Sequence, residues 1–212
     1  MPAIGITGGI STGKTSFVAC LRELFKERTP QRGVPTRVTF FDADLAAREL
    51  GDKDPEARGL IEKEFGPQVY SGSGSLNREA VRAIVFADAD KKRALEQILH
   101  PRIRRQWSLE AEGHRNSTEL FFADIPLLYE TGGETLCDRV VVVACSPELQ
   151  LERLMARMRL KQSEAQLMID AQMPLTEKIS RADHVVWNNG AREALREQAR
   201  LLVELWTNGK NR

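Results

Sequence analysis

The sequence predicts an α/β fold in which helices flank a parallel sheet of five strands. Short apolar runs alternate with amphipathic stretches along the 212 residues, a pattern typical of buried parallel strands and the helices that cover them. A glycine-rich turn at residues 8–15 separates the first apolar run from the first amphipathic stretch. Residues 45–117 lack strand character, which indicates a helical insert within a single α/β domain.

The turn reads Gly-Gly-Ile-Ser-Thr-Gly-Lys-Thr and matches the phosphate-binding pattern G-x-x-x-x-G-K-[ST]. Its glycines let backbone N–H groups turn inward around an anion, while Lys14 brings a positive charge to the β and γ phosphates. Thr15 offers a hydroxyl to Mg²⁺. The loop residues expected to bind a nucleotide are Gly9, Ser11, Thr12, Gly13, Lys14 and Thr15.

A strand before the loop and a helix after it support this interpretation. The stretch Ala3–Ile6 is short and apolar, as a buried parallel strand would be. The N-terminus of the following helix directs its unpaired N–H groups at the phosphates. A chance glycine-rich turn would lack this context, so we expect a P-loop NTPase-like fold. The apolar face of that helix is formed by Phe17, Val18, Leu21, Leu24 and Phe25.

Composition and charge argue against several other classes of protein. Lysine and arginine number 31 against 30 aspartate and glutamate, so the net charge of +1 does not support bulk nucleic-acid binding. The three cysteines form no C-x-x-C pair, and we expect reduced, buried thiols. No apolar run approaches the length of a membrane span, and the loop begins too early for a signal peptide. We therefore expect a cytoplasmic protein without membrane or nucleic-acid partners.

Carboxylates follow two further predicted strands. The apolar stretch Arg37–Phe41 is followed by Asp42 and Asp44. If this strand joins the first in one parallel sheet, both carboxylates lie beside the phosphate loop, where open α/β sheets bind ligands. An aspartate there can also be a helix N-cap, and one of the two can cap while the other reacts. A third strand, Leu120–Asp124, ends in a carboxylate of the Walker B type, which would help to hold Mg²⁺.

Helices are predicted throughout the insert. They span Pro55–Phe65, Arg78–Phe86 and a long stretch from Lys91 onward. In this last stretch Pro101 should kink the helix or start a new one. Such an insert is typical of a substrate-binding flap, although packing alone explains it equally well.

A cluster of arginines follows the fourth predicted strand. This strand, Val140–Ala144, is the most apolar and is therefore expected at the centre of the sheet. A helix from about Pro147 then carries the arginines and ends at a polar break, 161–163, before a fifth strand at His184–Trp187. Clustered arginines beside a mobile segment suit a lid that closes over phosphates, and a solvated helix face is the alternative. The arginines are Arg153, Arg157 and Arg159.

Together these stretches resemble the dephospho-CoA kinase family nearly from end to end. The phosphate loop alone specifies only a large superfamily. More specific are Asp42-Ala43-Asp44, Leu99-His100-Pro101 and Pro126-Leu127-Leu128, in this order. Further matching residues are Arg48, Phe65-Gly66, Leu76-Asn77-Arg78, Val85-Phe86, Glu130, Gln150, Arg153, Arg157, Gln172, Lys178, Ala182-Asp183, Asn188 and Gly190.

The resemblance implies transfer of the ATP γ-phosphoryl group to the ribose 3′-hydroxyl of dephospho-CoA, the last step of CoA synthesis. ATP and dephospho-CoA are the implied partners and Mg²⁺ the implied cofactor. The insert, about 45–117, would bind CoA, and a lid would span about 153–172. We expect a monomer, but the sequence leaves the oligomeric state open.

The resemblance also assigns roles to individual residues. A ribose hydroxyl is a poor nucleophile, so a carboxylate should accept its proton. Asp44 is the preferred base, and the reverse assignment to Asp42 stays open. The implied catalytic residues are Asp44, Lys14 and Arg157; nucleotide binding extends to Ser16, Arg153 and Asn188; substrate binding involves Asp42, Arg78, His100 and Leu127; the metal ligands are Thr15 and Asp124.

The sequence departs from the family pattern in the loop and in the lid. Ser11 occupies the position of the first glycine in the common family loop, which reduces backbone freedom. In the lid, Met158 stands where an acidic residue often follows Arg157, and Met168 stands where many members carry arginine. The number of arginines that reach the phosphates is therefore open, and Arg159 is available to compensate.

Three other functions compete with this one. Shikimate kinases combine a phosphate loop with Asp-x-Asp after the second strand, but they lack a His-Pro helix in so long an insert. A regulatory GTPase needs an Asn-Lys-x-Asp motif, which this sequence does not contain. A non-catalytic nucleotide-binding module would need no acceptor carboxylate, and a turnover measurement would separate it from a kinase.

Overall fold

The computed structural model describes residues 3–27, 38–72, 74–114 and 119–207. The chain divides into two compact units, which we call the sheet unit (residues 1–41 and 111–212) and the helical unit (Asp42–Glu110). Short 3₁₀ turns lie at Pro67–Val69 and Gly133–Leu136. The other elements are, in chain order, β1 (Ala3–Gly8), α1 (Lys14–Glu27), β2 (Val38–Asp42), α2 (Ala43–Lys53), α3 (Pro55–Phe65), α4 (Arg78–Ala87), α5 (Ala89–His114), β3 (Leu120–Asp124), β4 (Arg139–Ala144), α6 (Pro147–Met158), α7 (Gln162–Asp170), α8 (Leu175–Ser180), β5 (His184–Trp187) and α9 (Arg192–Thr207).

The sheet unit is built on a five-stranded sheet with the order β2-β3-β1-β4-β5. β1 pairs in parallel with β3 and β4, and β4 pairs in parallel with β5. The register aligns Ile6 with Asp124 across β1 and β3, and Gly8 with Val143 across β1 and β4. The carboxyl ends of these strands therefore meet where β1 runs into the loop, and the predicted parallel α/β fold is confirmed.

One expectation about strand order is wrong, because the central strand is β1 rather than β4. The first and second strands belong to one sheet, and β3 lies between them. Because β1, β3 and β4 are all buried along nearly their whole length, apolar content alone does not rank them. The carboxylate that adjoins the phosphate loop through the sheet is consequently Asp124.

Helices α1 and α9 supply the core beside the sheet. The predicted apolar face of α1 is confirmed, since Phe17, Val18, Leu21, Leu24 and Phe25 are all buried. In α9 the buried positions recur at helical spacing, at Leu195, Ala199, Val203 and Trp206. The two faces join one apolar cluster with the buried side chains of β1, β3 and β4. This packing holds the start of α1, and with it the loop, against the end of the sheet.

The helical unit has its own apolar cluster, centred on Ile61, Phe65, Val69 and Val81. Side-chain caps fix where its helices begin, because Asp54 accepts a hydrogen bond from Ala57 N at 2.7 Å and Asn77 accepts one from Ala80 N at 3.1 Å. The predicted helix Pro55–Phe65 is confirmed.

The long helix α5 runs through its proline. Pro101 lies inside Ala89–His114 and starts no new helix there. Across the described ranges, no helix combines the length and the apolarity needed to span a membrane.

Candidate active site

The phosphate loop follows β1 directly and ends in the first turn of α1. At its start a Cβ on Gly8 would lie 2.4 Å from the carbonyl oxygen of Val143, so only glycine fits between the two backbones. Near its end Gly13 has a φ of +95°, a conformation that other residues rarely adopt. The N–H of Phe17 then donates to the Gly13 carbonyl at 3.1 Å. The predicted strand, loop and helix context is therefore present.

Side chains from the end of β5 and from α6 support the loop. Asn188 is buried, and its Nδ2 donates to the Thr12 carbonyl at 2.9 Å. The Thr12 hydroxyl donates to the Gly9 carbonyl at 2.9 Å. Arg153 Nη1 in turn donates to the Asn188 carbonyl at 2.9 Å. The structure thus brings together three of the predicted nucleotide-binding residues, namely Thr12, Asn188 and Arg153.

Ser11 adopts a left-handed conformation, which glycine tolerates better than serine. Its φ is +61°, and its hydroxyl is buried without a hydrogen-bond partner among the described residues. Both features are unfavourable for a serine. The loop therefore keeps its turn at Ser11, but at a cost in stability.

Lys14 and Asp124 form an ion pair at the end of the sheet. Their side chains are only 13% and 11% exposed, so the pair is well shielded from water. The β1/β3 register explains the contact, because it places Asp124 beside the strand that leads into the loop. Thr15 and Ser16 follow Lys14 in the first turn of α1, and both are exposed.

The residues near Lys14 fit a magnesium ion held jointly with a nucleotide. Thr15 offers a hydroxyl and Asp124 a carboxylate, and both are the hard oxygen ligands that Mg²⁺ prefers. Among the described residues no cluster of three or more His, Cys, Asp or Glu side chains could hold a metal by itself. Mg²⁺ is usually bound by one or two protein groups together with substrate phosphates.

Two glutamines form hydrogen bonds with the backbone of Ile10 in the loop. The sequence did not single them out as site residues. Gln150, buried in α6, donates from Nε2 to the Ile10 carbonyl at 2.9 Å. Gln172, just after α7, accepts from the Ile10 N–H through Oε1 at 2.9 Å. Both backbone groups of Ile10 are therefore held by side chains from later in the chain.

Lys178 is a further residue of this site that the sequence did not single out. It is fully buried in α8, and its Nζ donates to the Gly8 carbonyl at 3.3 Å and to the Pro126 carbonyl at 3.2 Å. Glu130 Oε1 lies 2.8 Å from the same ammonium. The only sequence signal was its place among the residues that match the family pattern.

The predicted lid arginines differ in their surroundings. Arg153 is half-buried and holds Asn188 as described above. It also faces Cys145, where burial raises the pKa of the thiol and the nearby guanidinium partly offsets that rise. Arg157 is exposed in the last turn of α6, and Arg159 is exposed as its left-handed C-cap with a φ of +55°. The polar break is shorter than predicted, since α7 already begins at Gln162.

In the helical unit the two aspartates at the junction of β2 and α2 have different environments. Asp42 caps α2 by accepting a hydrogen bond from Leu45 N at 2.9 Å through Oδ1. Asp44 lies in the first turn of the same helix and is exposed. The capping interpretation therefore holds for Asp42, while the carboxylate of Asp44 faces water.

Two of the predicted substrate-binding residues also lie in the helical unit. Arg78 donates from Nη2 to Asp52 Oδ2 at 2.6 Å and to the Arg48 carbonyl at 3.2 Å. Burial raises the pKa of Asp52, but hydrogen bonds from Arg78 and from Leu76 N outweigh it and lower that pKa overall. His100 is half-buried inside α5.

Leu127 belongs to the sheet unit. It is half-buried in the turn after β3, and its carbonyl accepts from the Thr131 hydroxyl at 2.8 Å.

The sheet order, the loop between β1 and α1, and the acidic residue at the end of the neighbouring strand define a P-loop kinase. The solved structure of shikimate kinase from Acinetobacter baumannii in complex with shikimate shares this fold. It has a TM-score of 0.52 at 17% identity, with 100% of this chain and 96% of that chain covered. The model of the dephospho-CoA kinase family matches residues 2–193. The chain therefore belongs to the dephospho-CoA kinase family and is an ATP-dependent kinase.

Individual relatives agree with this assignment. The dephospho-CoA kinase of Anaeromyxobacter dehalogenans is 44% identical over 211 residues, with 97% of this chain and 92% of the relative covered. That of Geobacillus kaustophilus is 38% identical over 204 residues, with 96% of each chain covered. The crystal structure of TT1252 from Thermus thermophilus is 34% identical, with a TM-score of 0.70 and 96% of this chain and 97% of that chain covered.

Proposed function

We propose that this chain transfers the γ-phosphoryl group of ATP to the ribose 3′-hydroxyl of dephospho-CoA, which gives CoA and ADP. The observation that carries the proposal is the supported phosphate loop, with Lys14 paired to Asp124, in a chain of this family. In the transfer the bond between the γ-phosphorus and the β–γ bridging oxygen breaks. A bond between the ribose oxygen and that phosphorus forms, and the hydroxyl proton leaves.

The phosphate donor is bound by the loop and the start of α1. Backbone N–H groups of the loop and of the first turn of α1 surround the β and γ phosphates, apart from those of Ile10 and Thr12, which are bonded to Gln172 Oε1 and to the Gly9 carbonyl. The helix N-terminus favours the negative charge of the phosphates. Lys14 contributes its ammonium to the γ-phosphate oxygens. Asn188 keeps Thr12 in place through the 2.9 Å hydrogen bond to its carbonyl. These residues orient the γ-phosphate for in-line attack.

Thr15 and Asp124 would hold Mg²⁺ on the nucleotide. When bound, the ion neutralises charge on the β and γ oxygens. The short reach between the end of β3 and the loop, seen in the contact of Asp124 with Lys14, supports this assignment. In this proposal Lys14 binds the phosphates directly, whereas Asp124 acts on them through the cation.

Asp44 accepts the proton of the ribose hydroxyl. A general base needs a carboxylate that is accessible to the acceptor. Asp44 is exposed, whereas Oδ1 of Asp42 is engaged by the N–H of Leu45 at the helix cap. This difference favours Asp44 as the base and gives Asp42 a supporting role toward the acceptor and the water shell of the metal.

Arginines of the lid stabilise the charge that spreads over the equatorial oxygens. Arg157 is exposed at the end of α6, where its guanidinium is available to the transferring group. Arg153 holds the Asn188 carbonyl, so its contribution passes partly through the loop support. The lid, about 153–172, would exclude water during transfer.

The acceptor is recognised by the insert, about 45–117. The guanidinium of Arg78 is held in place by Asp52, so it presents its remaining donors to the acceptor with little loss of side-chain freedom. His100 adds a polar ring within α5. We propose that the reaction takes place in the cytoplasm and that a monomer carries it out. The three free thiols suit a reducing compartment.

An ADP-release assay with parallel acceptors tests the proposal. Dephospho-CoA, shikimate and nucleoside monophosphates are offered at equal concentration with ATP and Mg²⁺. We expect turnover with dephospho-CoA to exceed that with the other acceptors by orders of magnitude. Dominant turnover of shikimate or of a monophosphate would overturn the proposed acceptor, and ATP binding without any turnover would favour a non-catalytic module.

A further inference from the structure

Lys178 joins the start of the phosphate loop to the segment that follows β3. Its side chain is completely inaccessible to water, although lysine is among the residues least often buried. The ammonium donates to the carbonyls of Gly8 and Pro126 and pairs with Glu130. None of the steps proposed above uses this residue.

The two carbonyls that Lys178 binds belong to segments with functional groups. Gly8 is both the last residue of β1 and the first residue of the loop. Pro126 lies two residues after Asp124, which carries the carboxylate beside Lys14. A single ammonium within about 3.3 Å of both carbonyls therefore fixes the loop relative to the segment that carries Asp124.

The surroundings of Lys178 are built to satisfy a buried charge. Three acceptors face an ammonium that has three N–H donors. Glu130 Oε1 also accepts from the N–H of Met173 at 3.1 Å, in the connection between α7 and α8. A buried charge with this complete set of partners is stable, while the loss of one partner leaves the other uncompensated.

The same connection reaches the loop at a second point. Gln172, the residue before Met173, accepts from the Ile10 N–H at 2.9 Å. The loop is thus held at Gly8 by Lys178 and at Ile10 by Gln172. Gln172 lies in the short segment between α7 and α8, and Lys178, in α8, is linked to the same segment through Glu130 and the N–H of Met173. The position of this segment and the shape of the loop therefore depend on each other.

We infer that Lys178 is a positioning residue for the phosphate loop, and that it acts through the carbonyls of Gly8 and Pro126. It touches neither ATP nor acceptor, but it keeps the loop amides and Asp124 in the arrangement that binds phosphates. The inference rests on the proposed function only for the reaction that the chain catalyses. The expected effect of Lys178 on nucleotide binding does not depend on which acceptor is phosphorylated.

Lys178→Met tests the inference, because methionine keeps much of the side-chain length and removes the ammonium. ADP affinity measured by calorimetry is expected to fall by about 10- to 100-fold, the loss typical of a misplaced binding group. The value of kcat/KM for ATP falls with it, while the KM for dephospho-CoA stays unchanged. Unchanged ADP affinity in the folded variant would overturn the inference.

Glu130→Gln serves as a second variant in case Lys178→Met does not fold. Its amide oxygen still accepts from Lys178 and from Met173 N, but the buried ammonium loses its counter-charge. We expect a smaller loss of ADP affinity in the same direction, with the fold retained. Wild-type ADP affinity in this variant would equally contradict a positioning role for the pair.

Val203→Ala in α9 is the matched control for stability. Val203 is buried at 2% exposure in the core, and none of its described hydrogen bonds reaches the loop. The control should melt at a lower temperature and bind ADP with wild-type affinity. A Lys178→Met protein that behaves like this control would show a structural role alone. Failure of the wild-type chain to phosphorylate dephospho-CoA would refute only the proposed function, because ADP binding is measured without an acceptor.

Discussion

Gly13→Ala should damage the phosphate loop by an amount that depends on Asn188. Gly13 has a φ of +95°, so any side chain there strains the backbone. A Cβ would also lie 1.9 Å from Asn188 Nδ2, which forces the amide away from its 2.9 Å hydrogen bond to the Thr12 carbonyl. The substitution therefore has a backbone cost and a separate packing cost.

The backbone cost and the packing cost each have a characteristic size. Placing a non-glycine residue at positive φ costs about 1–2 kcal/mol, and leaving the buried Thr12 carbonyl without a partner costs about 1–3 kcal/mol. Gly13→Ala should thus lower the free energy of unfolding by about 2–5 kcal/mol in the wild-type background. In an Asn188→Ala background the nearest remaining side-chain atom is Cβ, 3.8 Å from the new methyl group, which is an ordinary contact. Only the backbone cost then remains.

Urea unfolding of the four proteins in this double-mutant cycle measures the difference. We expect Gly13→Ala to cost about 1–3 kcal/mol less when Asn188 is already alanine. ADP titration of the same proteins should show weak binding in every variant that carries Gly13→Ala. An equal cost in both backgrounds would refute the argument that Asn188 occupies the space beside Gly13.

Ser11→Gly should raise the free energy of unfolding by about 1 kcal/mol, because it relieves a positive φ, and a lower melting temperature would contradict this. Arg157→Ala should reduce kcat by about 10³-fold if its guanidinium meets the transferring phosphate, whereas a wild-type rate would return Arg157 to a solvated helix face. Asp44→Asn should lower kcat by about 10²-fold with ATP affinity retained. Asp42→Asn should mainly change the Mg²⁺ dependence, and a rescue of Asp44→Asn by added Mg²⁺ would reverse the two roles.

The sequence predicted those parts of the fold whose signals are local. The helix Pro55–Phe65 was bounded correctly because Asp54 caps it, proline occupies its first turn and Gly66 ends it. The strands Leu120–Asp124 and His184–Trp187 were also bounded correctly. Strand order is not a local property, and three equally buried strands gave no pattern that placed β1 at the centre.

The residues of the candidate site also differ in whether a local sequence pattern predicts them. The loop and Lys14 were predictable because the whole phosphate-binding pattern lies within eight consecutive residues. Gln150 and Lys178 reach the loop across 140 and 170 residues of sequence, and each lies in a helix where a polar residue gives no sign of burial. Asn188 was assigned only through the family resemblance, since its buried contact with Thr12 depends on how β5 ends beside the loop.

The most direct test of the central claim is to identify the product formed from ATP and dephospho-CoA by phosphorus NMR, with ADP quantified in the same sample. We expect one new phosphate monoester on the ribose 3′-oxygen for each ADP released, and no product with Lys14→Ala. ADP that accumulates while dephospho-CoA stays unmodified, or a phosphate at another position of the acceptor, would contradict the claim that this chain is a kinase for the 3′-hydroxyl of dephospho-CoA.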